Sequence, residues 1–122
     1  MDKNKTLKPA ISVNLKKPVI RIHKDTLHSI GDPEYILLLV NPKECALAVL
    51  PSHRSDPKAQ HISKSSLTNK KSFELYSTSL VNNLRNLCKH WEDNNAYRIY
   101  GEIIPDKAVI RFNMAESISI NE

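Results

Sequence analysis

Short runs of alternating apolar and polar residues dominate the chain, and they fall in the same order twice. Ile20 and Ile22 alternate with Arg21 and His23, the period of a strand with one buried face. A helix of one or two turns over Thr26 to Ile30 follows, with Asp25 placed to cap it and Gly31 to close it at positive φ. Leu27 and Ile30, three apart, then face the core. Tyr35 to Val40 is apolar on both faces, which predicts the central, most buried strand. Asn41-Pro42-Lys43-Glu44 turns the chain, and Ala46 to Leu50 returns antiparallel. The order recurs as a strand at Phe73 to Tyr76, a helix over Ser79 to Trp91, a strand at Tyr97 to Ile104, a turn at Pro105-Asp106-Lys107 and a strand at Ala108 to Met114. In the longer helix, Leu80, Leu84, Leu87, Cys88 and Trp91 form one apolar stripe, and Ser77 or Ser79 supplies its cap.

Two β-α-β-β units in one chain imply an internal duplication. The fold class this predicts is α+β, mostly β, with the two units forming one pseudo-two-fold, barrel-like domain. Residues 1–18 read as a basic tail ending in an alternating segment, Ile11, Val13 and Leu15, that suits an edge strand. Residues 19–50 are the first unit, 51–72 a basic connector rich in Pro, Ser, Asn and Lys, and 73–122 the second unit. An exposed edge at Ile11 to Leu15 also offers a route to a homodimer.

Composition narrows the class. The chain has 122 residues, 40% hydrophobic and 25% charged, enough for a single core without metal or disulfide staples. No apolar run approaches a membrane span, and Met1 to Lys8 lacks the apolar segment of a secretory signal, so the expected compartment is the cytoplasm. Cys45, in a strand-like run, and Cys88, on an apolar helix face, read as buried free thiols. The net charge of +5 is unevenly spread: residues 1–71 hold 13 Lys/Arg against 6 Asp/Glu, and residues 72–122 hold 5 against 7. That asymmetry points to an anionic partner or to a dipolar surface that docks on another protein.

The candidate binding set is therefore basic. Lys16 and Lys17 precede the first repeat strand, Arg21 and His23 project from one face of it, Lys24 follows directly, and His28 lies nearby on the helix. Such a cluster releases counterions when it neutralises phosphates, and an arginine reaches guanine edges bidentately. Arg54 and Lys58, with Lys64, Lys70 and Lys71, make a second basic arm in the connector, with no aromatic among them to stack single-stranded bases. The competing reading is a solvated strand face and linker. Enzyme chemistry finds no support: the five histidines lack metal-ligand spacing, the cysteines form no Cys-x-x-Cys pair, and the two glycines, Gly31 and Gly101, cannot make a phosphate loop. Cys88 and His90 on one helix point to different faces. The chain is thus expected to be non-enzymatic, with no cofactor, no metal site and no catalytic residues.

The first unit, Ile20-Arg21-Ile22, then Thr26 to Gly31, then Tyr35 to Val40, resembles the AbrB-like (SpoVT-type) swapped-hairpin motif of a strand, a short helix and a valine-rich hairpin. Its duplication in one chain resembles the MraZ-type arrangement. The resemblance implies a bacterial regulator that contacts double-stranded DNA through basic residues of the first strand and around the helix. The longer helix and slight acidity of the second unit depart from the pattern, which leaves those contacts to the first. The run of residues 19–60 also resembles small proteins of prophages and mobile elements. That likeness implies the alternative, a counter-defence inhibitor of anti-CRISPR-like type that docks on a nucleic-acid-handling complex.

Overall fold

The computed structural model describes residues 8–63 and 70–120. Its elements are β1 (Ala10–Asn14), β2 (Val19–His23), α1 (Lys24–Ser29), β3 (Tyr35–Asn41), β4 (Ala46–Pro51), β5 (Gln60–His61), β6 (Ser72–Tyr76), α2 (Thr78–Leu87), β7 (Ala96–Ile104), β8 (Val109–Asn113), a 3-10 turn (Met114–Glu116) and β9 (Ile118–Ile120). The chain is mostly β, and its sheet is a curled antiparallel half-barrel. Strand order is β5-β3-β4-β8-β7-β1-β2-β6, with β9 also paired to β7. No helix among the described residues is long and apolar enough to cross a membrane.

The long strand β7 makes the corner. Its first half, from Ala96, lies between β1 and β9, and from Gly101 onward it pairs with β8 instead. Gly101 donates its N–H to the Pro9 carbonyl at 2.8 Å, at the point where the partner changes. A Cβ there would meet the Phe112 ring at 2.6 and 2.7 Å and Ile110 at 2.9 Å, so the corner closes only around a residue without a side chain. Inward-facing Ile11, Val13, Ile20, Ile22, Leu47, Val49, Ile99, Ile110 and Phe112 are almost wholly buried, and Leu27 of α1 and Val81 and Leu84 of α2 pack on them. Each such side chain contributes about 1.5–3 kcal/mol by leaving water.

Local chemistry sets the elements. Asn14 Oδ1 accepts from the Lys16 and Lys17 amides, turning the chain from β1 into β2. Asn41 Oδ1 does the same for Lys43 and Glu44 in the β3–β4 turn. Ser77 Oγ accepts from Leu80 N and starts α2, as the sequence predicts. Gly31 closes α1 with φ of 90°, also as predicted. The buried Thr26 hydroxyl accepts from Ala10 N and donates to Ala10 O, latching α1 to the start of β1. Trp91 is core: its ring stacks on Tyr97 at 4.8 Å, and its Nε1–H donates to Ser117 Oγ at 2.7 Å.

Several expectations need correction. The segment at residues 10–14 is no edge: β1 pairs with β2 on one side and β7 on the other, so the edge proposed for a homodimer is taken within the chain. The Tyr35 to Val40 strand is not the central one. It has only the two-residue β5 beyond it, Ile36 alone is buried, and Leu39 is 48% exposed, because a single face of this strand meets the core. His23, not Asp25, caps α1: its Nδ1 accepts from Asp25 N at 3.2 Å. The second helix ends at Leu87, before Trp91. Cys45 lies in the β3–β4 turn rather than in a strand. The connector carries β5 and a run of turns in which Asp56 N donates to His53 O and Ala59 N to Asp56 O. Residues 1–7 of the basic tail and Lys64 of the connector lie outside the described residues.

Gly101→Ala is expected to destabilise the protein by about 1–3 kcal/mol, because the Phe112 ring must give way in a packed core. In a double-mutant cycle with Phe112→Leu the two costs should be clearly sub-additive. Additive costs in urea unfolding would show that the Cβ clash at the corner is not what constrains this position.

Candidate nucleic-acid interface

On the outer face of the β6-β2-β1-β7 half, the side chains are ordered by the strand register. One row across the sheet reads Glu74, Arg21, Ser12, Arg98, Ile118. The central strand β1 presents only small outward residues there, Ala10, Ser12 and Asn14, while its neighbours present Arg21 and His23 on one side and Arg98 on the other. Two strand spacings, about 10 Å, separate the arginine backbones. Small residues between long ones leave a depression by construction. A recess of about 440 Å3 is lined by Asn14, Lys16, Lys17 and Arg21. A second, of about 260 Å3, shares Arg21 and continues along Ser12, His23, Lys71 and Arg98.

Five cations thus border adjoining recesses, and Glu74 is the acid that pairs across the β2–β6 ladder into this row. Lys16 and Lys17 stand exposed on the turn that Asn14 holds. Arg98 is exposed and has no ion-pair or hydrogen-bond partner among the described residues. Arg21 is different. Its Nε donates to Glu74 Oε2 at 2.9 Å, and the two side chains are 27% and 31% exposed. Arg21 projects from the predicted face, but its guanidinium is engaged by Glu74. Glu74 also accepts from the Tyr76 hydroxyl at 3.2 Å. The Arg21 hydrogen bond is the main influence holding the Glu74 carboxyl below its ordinary 4.5; partial burial opposes it, while the charges of Arg21 and Lys70 and the Tyr76 hydroxyl add to it.

The structure brings together Lys16, Lys17, Arg21 and His23 from the sequence-derived set. His23 is partly occupied as the cap of α1, with Asp25 Oδ2 at 3.7 Å. Lys24 is exposed, and its amide donates to Lys71 O, which seats Lys71 beside the start of α1. His28 faces Asp32 at 2.8 Å on the exposed end of α1 and lines neither recess. Arg54 and Lys58 sit in the turns between β4 and β5, elements at the far end of the strand order from β2. Sequence reasoning missed Arg98. The signal was present, since Arg98 alternates with the buried Tyr97 and Ile99, but that strand was read only for its apolar face.

No family model, curated protein or solved structure matches the chain.

A carboxylate whose folded-state value is depressed stabilises the fold fully above its ordinary 4.5 and loses that contribution as acid protonates it below. Glu74→Gln should therefore lower stability by about 1 kcal/mol or less at neutral pH, with the gap from the native chain closing in acid below 4.5. Urea midpoints at the two pH values measure this; a gap that persists unchanged in acid would remove the ion pair from the account.

Proposed function

We propose that this basic face binds the phosphates of double-stranded DNA and that the protein is a non-enzymatic DNA-binding regulator of AbrB-like type, acting in the cytoplasm. The observation that carries the reading is the row in which Arg21 and Arg98 flank Ser12, extended by Lys16 and Lys17 at one end and Lys71 at the other. Cations on a rigid sheet hold fixed spacing, so neutralising phosphates costs little ordering of the protein. Lys16, Lys17, Lys71 and Arg98 do the clamping in this reading, and Arg21 joins only by leaving Glu74.

The duplicated, pseudo-two-fold architecture is part of the same proposal. Support comes from the strand pairing: corresponding strands meet in β2 with β6 and β4 with β8, and the pairing of β1 with β7 is matched by that of β5 with β3, all antiparallel. Two-fold related strands that meet must pair antiparallel. The second reading, a protein that docks on a nucleic-acid-handling complex, is favoured by a different observation. Leu39 is 48% exposed on the outer face of β3–β4, and Leu37, Ala48 and Leu50 beside it are half-exposed.

Gel retardation of a random duplex separates the two. Binding at low salt that falls steeply with added salt is expected, and Lys17→Glu with Arg98→Glu should lower the slope of log K against log salt by about 2 while leaving the melting curve in place. Glu74→Gln should tighten binding, since it removes a repelling carboxylate and the ion pair that engages Arg21. No retardation of the folded protein at low salt would sink the DNA reading and favour the docking one.

A further inference from the structure

Two thiols from separate halves of the chain meet. Cys45 Sγ lies 3.9 Å from Cys88 Sγ, and both are free. Cys45 ends the β3–β4 turn at φ of 51°, a left-handed conformation that disfavours a side chain and that Gly or Asn fills more easily. The turn is nonetheless firmly held, with Cys45 N donating to Pro42 O and Met114 N to Cys45 O. Cys88 is the C-cap of α2; its N–H donates to Leu84 O, and Trp91 N donates to its carbonyl. The strained backbone at Cys45 is what aims its sulfur at the end of this helix, where it also lies 4.0 Å from the Leu87 carbonyl.

We propose that Cys45 and Cys88 are a modification site, closing to a reversible disulfide when hydrogen peroxide reaches Cys45. The geometry assigns the order of events. Cys45 is half-buried and open to a small oxidant, whereas Cys88 is 1% exposed. Burial and the neighbouring Cys45 push the Cys88 thiol up to about 12, which adds to its enclosure in making it the poorer first nucleophile. The Cys45 sulfur attacks a peroxide oxygen, the O–O bond breaks, the thiol proton leaves with the departing hydroxyl as one water, and Cys45 becomes a sulfenic acid. The Cys88 sulfur then attacks the Cys45 sulfur, its proton leaves with the hydroxyl as a second water, and the S–S bond forms. Two thiols are oxidised by two electrons and one peroxide is reduced to two waters. Closure needs the sulfurs to approach from 3.9 Å to bond length, a shift the exposed turn can supply from its own side. The bond would join the β3–β4 turn covalently to the end of α2, where Cys45 Sγ already meets the Leu87 carbonyl.

The test is treatment of the full chain with excess hydrogen peroxide, followed by alkylation under denaturing conditions and mass analysis. The expected product is a monomer lighter by two hydrogens, with no free thiol, a cross-linked Cys45–Cys88 peptide, and a melting midpoint raised on the order of 10 °C over the reduced protein. Dithiothreitol should restore both thiols and the lower midpoint. Cys45→Ser, at the half-buried position, should keep the fold and leave Cys88 unmodified; Cys88→Ala should leave Cys45 to gain oxygen. A folded native chain that keeps both thiols free, that links only between molecules, or that adds oxygen at Cys45 with Cys88 free overturns the proposal.

Discussion

The sheet depends on one strand having both of its edges satisfied. Among the described residues β1 alone joins β2 and β6 to β7, so without it the curled sheet would separate into two pieces, each with an open edge. Five residues carry this, and the surrounding chemistry fixes them from three sides. The Asn14 amide turns the chain into β2, the Thr26 hydroxyl grips both polar groups of Ala10, and Leu15 N reaches Asn95 O. The buried face of β1 is equally committed, since Ile11 and Val13 are almost wholly enclosed and a register slip of one residue would turn them to solvent. Because its partners lie so far apart in sequence, this closure rests on long-range contacts, which makes it the slow kind of step in folding.

The same strand shapes the basic face. Large outward side chains on every strand would fill this face, and β1 instead presents Ala10, Ser12 and Asn14 between arginine-bearing neighbours, which leaves the depression. The arrangement has a built-in brake. Glu74 holds Arg21 in a 2.9 Å ion pair, so one guanidinium of the row is engaged, while the Arg98 side chain across the recess is open. An anion arriving there competes with a carboxylate for one guanidinium and meets no such competitor at the other.

Much of the fold was legible in local pattern. The alternation of Ile20 and Ile22, the Ser77 cap, the Gly31 close and both hairpin turns each rest on a few neighbouring residues, and each is where the pattern put it. What the pattern could not supply is pairing between distant segments. An alternating run such as Ile11 to Leu15 looks identical at an edge and in a sheet interior, and only the location of β7, far along the chain, decides between them. The run Tyr35 to Val40 misled for a related reason: apolar residues on both faces describe what a strand tolerates, not what covers it, and here Leu39 faces outward. The site suffered in the same way. Lys16, Lys17, Arg21 and His23 are close in sequence and were found together, whereas Arg98, the carboxylate of Glu74 and the meeting of Cys45 with Cys88 exist only once the strands are paired.

The stacking of Trp91 on Tyr97 has an optical consequence. Trp91 is the chain's single tryptophan, its ring lies within 5° of parallel to the tyrosine, and its indole N–H is held by Ser117 at the entrance to β9. Intrinsic emission therefore comes from one corner, where α2 ends and β7 and β9 meet. It reports whether that corner is shut, and it is silent on the opposite side of the molecule.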